Sequence, residues 1–183
     1  MLLPQGLLPS PYEILSYEST LILHDASGNK ATVKRNQQVR FLQDGIAGML
    51  DHVWGDGVAL TAYHNEAGVL RDLFLDEGKR HLVVGFKRPM CRGEMLTFRV
   101  ERTAMVGFTG DEEWLETTID HPTAHLSRSI VFPKERPCLQ ANLDCEGHEH
   151  PLPIRVLAGG RTLVGFHIAK PRVETPYTIR WIW

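Results

Sequence analysis

Four side chains of the types that bind zinc fall within thirteen residues: Cys138, Cys145, His148 and His150. Thiolate and imidazole are the usual tetrahedral zinc ligands, and zinc is the cofactor this set would take. A knuckle brings its cysteines two to four residues apart, whereas these are seven apart. If Cys138 to Cys145 is one strand, the odd separation sends the two thiols to opposite faces. The pattern therefore predicts a hairpin with His148 and His150 at its turn. A zinc site would need a bulge that reorients one cysteine.

A second group, Asp44, Asp51, His52, Asp56 and His64, lies in a stretch without a basic residue between Phe41 and Leu70. Carboxylates of this kind suit calcium or magnesium, but their spacing misses the helix–loop–helix calcium pattern. Trp54-Gly55-Asp56-Gly57 reads more simply as a tight turn with Trp54 packed beneath it. Cys91 sits between Arg88 and Arg92, and nearby cations favour the thiolate. A nucleophile also needs a base, and His81 and His121 are its candidates. Asp120, His121, His125, Ser127 and Ser129 supply acid, base and hydroxyl, all within one strand and its entry. No G-x-S-x-G elbow, Walker loop, G-x-G-x-x-G or H-E-x-x-H occurs. No catalytic residue is assigned on this reading.

Charge is distributed unevenly. Lys30, Lys34, Arg35 and Arg40 occur with no acid from Gly28 to Gln43, and Lys79 to Arg102 is rich in bases. Asp111, Glu112, Glu113, Glu116 and Asp120 form an acidic stretch with no base. The sum is −2, from 20 basic and 22 acidic residues, which argues against a dedicated nucleic-acid binder. Polarised surfaces steer charged partners or second copies of a chain. Lys34, Arg35 and Arg40, with the Trp54 turn, are the expected contact residues.

The elements that must position these groups are short alternating runs between Gly-, Pro- and Asn/Asp-containing turns, the mark of antiparallel β structure. Tyr12 to His24 opens the series, with Tyr17, Leu21 and Leu23 on one face and Ser19 between them. Asp25 to Asn29 turns the chain, and Lys30 to Phe41 returns. Arg80 to Lys87 is compactly apolar. After the turn at Arg88 to Gly93, Leu96, Phe98 and Val100 share a face. Leu126, Ile130 and Phe132 share another, interrupted by Arg128. Cys138 to Cys145 reads as a strand, and Ala158-Gly159-Gly160-Arg161 joins Ile154–Leu157 to Thr162–Ile168 as a hairpin. Tyr177, Ile179, Trp181 and Trp183 form a core-facing strand. Ile46, Met49, Leu50 and Val53 recur at helical spacing after Asp44, although Gly45 and Gly48 weaken a helix there, and Thr109 to Leu115 begins with a cap and an acidic turn, so one or two short helices are expected at these places. Asn65 to Gly78 suits a helix or a hairpin.

These runs predict an all-β, antiparallel β-sandwich of immunoglobulin-like architecture with about seven to nine strands and one or two short helices. Residues 1–11 read as a lead-in or linker and residues 12–183 as a single sandwich domain. The succession of strand, Pro-containing turn, Gly93-Glu94 and strand resembles accessory sandwich domains of larger bacterial signalling and defence proteins. The expected function is a non-enzymatic interaction or regulatory module for a protein partner or adjacent domain, with self-association as a further mode. The alternatives are a small metal-dependent enzyme or sensor using His, Cys and Asp groups, and a sandwich that binds a small ligand beside Trp54 and Trp114. No run is long and apolar enough to span a membrane, and three cysteines fit a reduced, cytoplasmic setting.

Overall fold

The computed structural model describes residues 10–53, 59–76, 79–105 and 107–183. Alternation organises about two thirds of them into strands. β1 (Tyr12–Leu23) and β2 (Lys30–Phe41) pair antiparallel. Between them Gly28 adopts a positive φ of 69°, and a Cβ there would sit 1.7 Å from the Phe108 carbonyl oxygen. Only glycine meets both demands at this turn. β2 pairs with β7 (Met95–Met105), which pairs with β4 (Ala59–Asn65). On its other side β1 takes β9 (His125–Phe132) as a parallel neighbour. β13 (Thr162–Ala169) and the two-residue β12 (Arg155–Val156) complete a seven-stranded sheet in the order β12-β13-β9-β1-β2-β7-β4.

Two smaller sheets provide further apolar surface for this large one. One contains β3 (Ile46–Val53), β6 (Lys79–Met90) and β5 (Gly68–Asp76), in the order β3-β6-β5. The other contains β11 (His148–Pro151), β10 (Gln140–Cys145), β14 (Pro176–Ile182) and β8 (Glu112–Thr118), in the order β11-β10-β14-β8. Two main cores result. The first gathers Tyr12, Val39, Phe41 and Phe98 of the large sheet with Met49, Val84 and Phe86 of the three-stranded sheet. The second gathers Leu21, Leu23, Ile130, Phe132 and Val164 with Ile179, Trp181 and Trp183. The fold is an all-β sandwich whose second layer is divided in two. Among the described residues no helix is long and apolar enough to cross a membrane.

Fourteen strands are described, more than the seven to nine expected, because the two segments read as helices, the ambiguous 65–78 stretch and the short β11 are strands as well. Both predicted helices are strands. In β3, Met49 and Asp51 are buried while Leu50 is exposed, which is a period of two. Its helical spacing arose because a buried polar residue, Asp51, occupied a core-facing position. Thr109 to Leu115 carries a local capping signal, yet β8 pairs along its length with β14, so the cross-strand ladder overrides the cap. The ambiguous Asn65 stretch resolves into the end of β4 and all of β5, which part into different sheets. The helical element among the described residues is a single 3-10 turn, Ala158–Gly160, inside the expected 154–168 hairpin. The Tyr177–Trp183 row is buried as predicted.

Candidate functional site

The two main cores are separated by a polar seam on the same face of the large sheet. Strand register sets its line. Ser19 of β1 lies opposite Arg35 of β2 and beside Arg128 of β9. Paired residues on neighbouring strands project to one face, so Arg128, Ser19 and Arg35 form a row across three strands. One residue pair further along, Leu21, Val33 and Arg102 form the next row. Ser19 and Arg128 are buried, and the Arg35 side chain is 10% exposed.

Asp51 answers part of this charge from β3. Arg35 Nη1 donates to its Oδ1 at 2.8 Å, and the His52 backbone N–H donates to the same oxygen at 3.0 Å. The Tyr63 hydroxyl donates to Oδ2 at 3.0 Å and accepts from Asn65 Nδ2 at 3.0 Å. Arg102 Nη1 donates to the His52 carbonyl at 2.6 Å, and Arg128 Nη1 donates to Ser19 Oγ at 2.6 Å. Burial alone would push the Asp51 carboxyl up, but Arg35, Arg102 and its hydrogen bonds outweigh it and hold the pKa below the ordinary value. Burial, with the Asp51 charge adding to it, raises the Tyr63 phenol. At Tyr17 burial also pushes upward, and Arg35, Arg128 and Arg102 together reverse it, so that phenol is held low. The Arg128 guanidinium is lowered by burial first, with Tyr17 opposing and Arg102 and Arg35 reinforcing.

The seam opens into a cavity of about 190 Å³, lined among others by Tyr17, Arg35, Asp51, Arg102, Thr117 and Arg128. Three of its polar atoms are buried without a hydrogen-bond partner among the described residues: Arg35 Nε, Arg128 Nε and Thr117 Oγ1. Asp51 is the one buried carboxylate among the described residues. Glu116 and Asp120, also on the cavity lining, are exposed. His121 lies there too, its Nδ1 2.8 Å from Ser10 Oγ and its ring 4.4 Å from that of Tyr12. Burial lowers the His121 pKa, with Asp120 opposing and His52 reinforcing.

The sequence-derived candidates are distributed otherwise. Lys34, Arg35 and Arg40 do not share a surface. Lys34 is exposed and pairs with Glu101 at 3.5 Å, Arg40 pairs with Glu13, and Arg35 faces the seam. Trp54 and Asp56 lie outside the described residues. Cys138 is buried in the second core, where burial pushes its thiol up to about 11. Cys145 pairs in register with His148, and Leu143 with His150, on the β10–β11 hairpin. The four do not converge, since Cys138 precedes β10 and both histidines are exposed. Among the described residues no group of three or more His, Cys, Asp or Glu stands close enough to hold a metal ion. Asp44 accepts from the Arg92 backbone at 2.8 Å, and His64 is exposed, apart from Asp51. Beside exposed Cys91, Arg88 is engaged by Glu94 at 2.7 Å. Ser129 meets Thr20 at 2.9 Å, on the strand face opposite Arg128. The residues missed as a group, Ser19, Arg128, Tyr63 and Asn65, had one visible signal: two polar residues interrupting apolar faces in β1 and β9.

A third feature lies at the edge of the three-stranded sheet. Leu70 and Leu73 of β5 pair with Val84 and Leu82 of β6, so they project to the core side. Val84 and Leu82 are fully buried, yet Leu73 is 47% and neighbouring Leu75 68% exposed. On the opposite face Phe74 stacks on His81 at 4.9 Å and remains exposed.

No family model matches the chain, and no curated protein matches it. Solved structures do. An M1 zinc metallopeptidase from Deinococcus radiodurans superposes with a TM-score of 0.55 at 10% identity, over 92% of this chain and 42% of that one. A two-domain M1 zinc metallopeptidase with L-tryptophan bound gives 0.55 at 11% identity, over 93% and 43%. A candidate protease from Parabacteroides distasonis gives 0.56 at 10% identity, over 96% and 41%. The chain thus spans roughly two fifths of the length of these proteins, and at such identities the likeness is one of fold.

Proposed function

We propose that this chain is a non-enzymatic accessory β module that docks on a second protein unit, either a partner protein or an adjoining domain. The observation that carries this reading is the uncovered continuation of the core face along β5. Leu70, Leu73 and Leu75 extend the buried row of β6 past the cover of the large sheet. A contiguous apolar ledge of this kind is the usual mark of a protein-binding surface. β5 is also an edge strand, so its outer backbone groups can pair with an incoming strand. The metallopeptidases of similar fold support the reading, since this chain matches only 43% of one described as having two domains. Three unbridged cysteines, Cys91, Cys138 and Cys145, suit a reduced compartment such as the cytoplasm.

Site-specific photo-crosslinking in cells that make the protein natively tests this. A crosslinker at Leu73 should yield one defined adduct, while one at Lys34, on the charged outer face of β2, should yield none. Equal labelling from both positions, or none from Leu73, would overturn the docking reading. An adduct joining two copies of the chain would replace the heterologous partner by self-association.

A further inference from the structure

The seam has a charge balance that the fold alone does not explain. Arg35, Arg102 and Arg128 line one cavity, and Asp51 is the one buried carboxylate among the described residues. Buried charges are ordinarily matched, because an unmatched one forfeits its hydration. Arg35 and Arg128 stand two strands apart on either side of Ser19, roughly 10 Å between backbones by ordinary strand spacing. That separation lets two guanidinium side chains approach one small group from both sides. Each donates one Nη1 hydrogen bond within the protein and is also met by the Tyr17 hydroxyl, yet each keeps its Nε without a partner among the described residues. Thr117 Oγ1 is buried on the same cavity, equally unpartnered.

We propose that this cavity binds a small, doubly charged oxyanion of the phosphate class, held by Arg35 and Arg128 with the Thr117 hydroxyl as a further donor. Planar N–H forks match the paired oxygens of phosphate, and such charge-assisted bonds are among the strongest available to a protein. Three guanidiniums less the Asp51 carboxylate leave an excess of positive charge; the Tyr17 phenol, drawn toward its ionised form by the same guanidiniums, meets part of it, and a bound oxyanion neutralises the rest. The cavity, about 190 Å³, has room for a small oxyanion together with ordered water. Exposed Glu116 and Asp120 on the lining disfavour long polyanions, which confines the site to compact ones. Burial, Arg102 and Arg35 disfavour the charged form of Arg128, Tyr17 opposes them only in part, and a bound dianion adds to the Tyr17 side.

The test is thermal unfolding of the whole chain in inorganic phosphate against sodium chloride of matched ionic strength, with 31P line broadening as a second readout. The wild type should show a saturable phosphate-dependent rise in Tm. Arg128→Met should unfold no lower than wild type in phosphate-free buffer, because an uncompensated cation is gone, and should bind phosphate at least about tenfold more weakly. Thr117→Val, nearly isosteric, should weaken binding severalfold while keeping the fold, and it serves if Arg128→Met does not fold. A small phosphomonoester, glycerol phosphate, distinguishes the sources. Tighter binding than phosphate assigns an esterified ligand, and weaker binding assigns the free ion. Identical Tm in phosphate and chloride, with unbroadened 31P lines, would mean that water alone satisfies these groups and would overturn the proposal. So would an undiminished phosphate response in a folded Arg128→Met or Thr117→Val. None of these outcomes bears on docking at Leu73.

Discussion

The three-stranded and four-stranded sheets serve the same large sheet in different ways. Over the central strands of the four-stranded sheet, β10 and β14, the match is close: Leu143, Tyr177, Ile179 and Trp181 are all buried against rows from β1, β9 and β13. Under the three-stranded sheet the β6 row is buried but the β5 row beside it is open to solvent. Both rows are equally apolar. Alternation specifies which face of a strand is apolar, while the area that covers it is set by how far the opposing sheet reaches. The three-stranded sheet gains instead from a polar tie, the Arg35–Asp51 pair, which links β2 to β3.

That contrast can be broken by four measurements. Asp51→Ala removes the tie and leaves Arg35 with no buried carboxylate, so urea unfolding should show a loss of roughly 3–5 kcal/mol. A loss below about 1 kcal/mol would mean that apolar contact alone holds the three-stranded sheet. Ile179→Ala should cost roughly 2–5 kcal/mol, because it opens a cavity in a covered core. Leu73→Ala, on the open row, should cost less than about 1 kcal/mol in the isolated chain. Equal costs would erase the distinction between the two sheets. The smallest effect is on pH dependence. Asp51 has a depressed pKa, so its contribution is complete above about 3.9 and fades as pH falls through the folded value. His121 is lowered too, so folding favours its neutral form and stability is lost as pH falls through about 6.5. His121→Gln should therefore flatten the decline between about pH 7.5 and 5.5, while Asp51→Asn should leave that slope unchanged.

Much of the strand layout was legible in the sequence, and for a physical reason: half-buried strands must alternate. β2 runs from Lys30 to Phe41 as expected, and the Tyr177–Trp183 row is buried. Arg35 shows where composition misled. Counted with Lys34 and Arg40 it looked like surface charge, although alternation places it in the same row as Val33, Gln37 and Val39. Arg128 and Ser19 were visible as interruptions, but their meaning was not, because they meet only through a parallel pairing of segments 109 residues apart. Asp51 was hidden by a helical spacing that its own burial created. Nothing local in a sequence reports such long-range partners.

The division into two cores has a temporal side. Every buried residue of the first core lies between Tyr12 and Val100. The other core needs Leu21, Leu23 and Ala31 from the first two strands, but also Trp181 and Trp183 near the other end of the sequence. On a ribosome, then, the first half has what it needs to close its own core early. The inner faces of Leu21, Leu23 and Ala31 must wait, exposed, for partners still to be synthesised. Such a half-built sheet, with one free edge at β1 and an apolar face, is the kind of intermediate that chaperones hold and that aggregates when they do not.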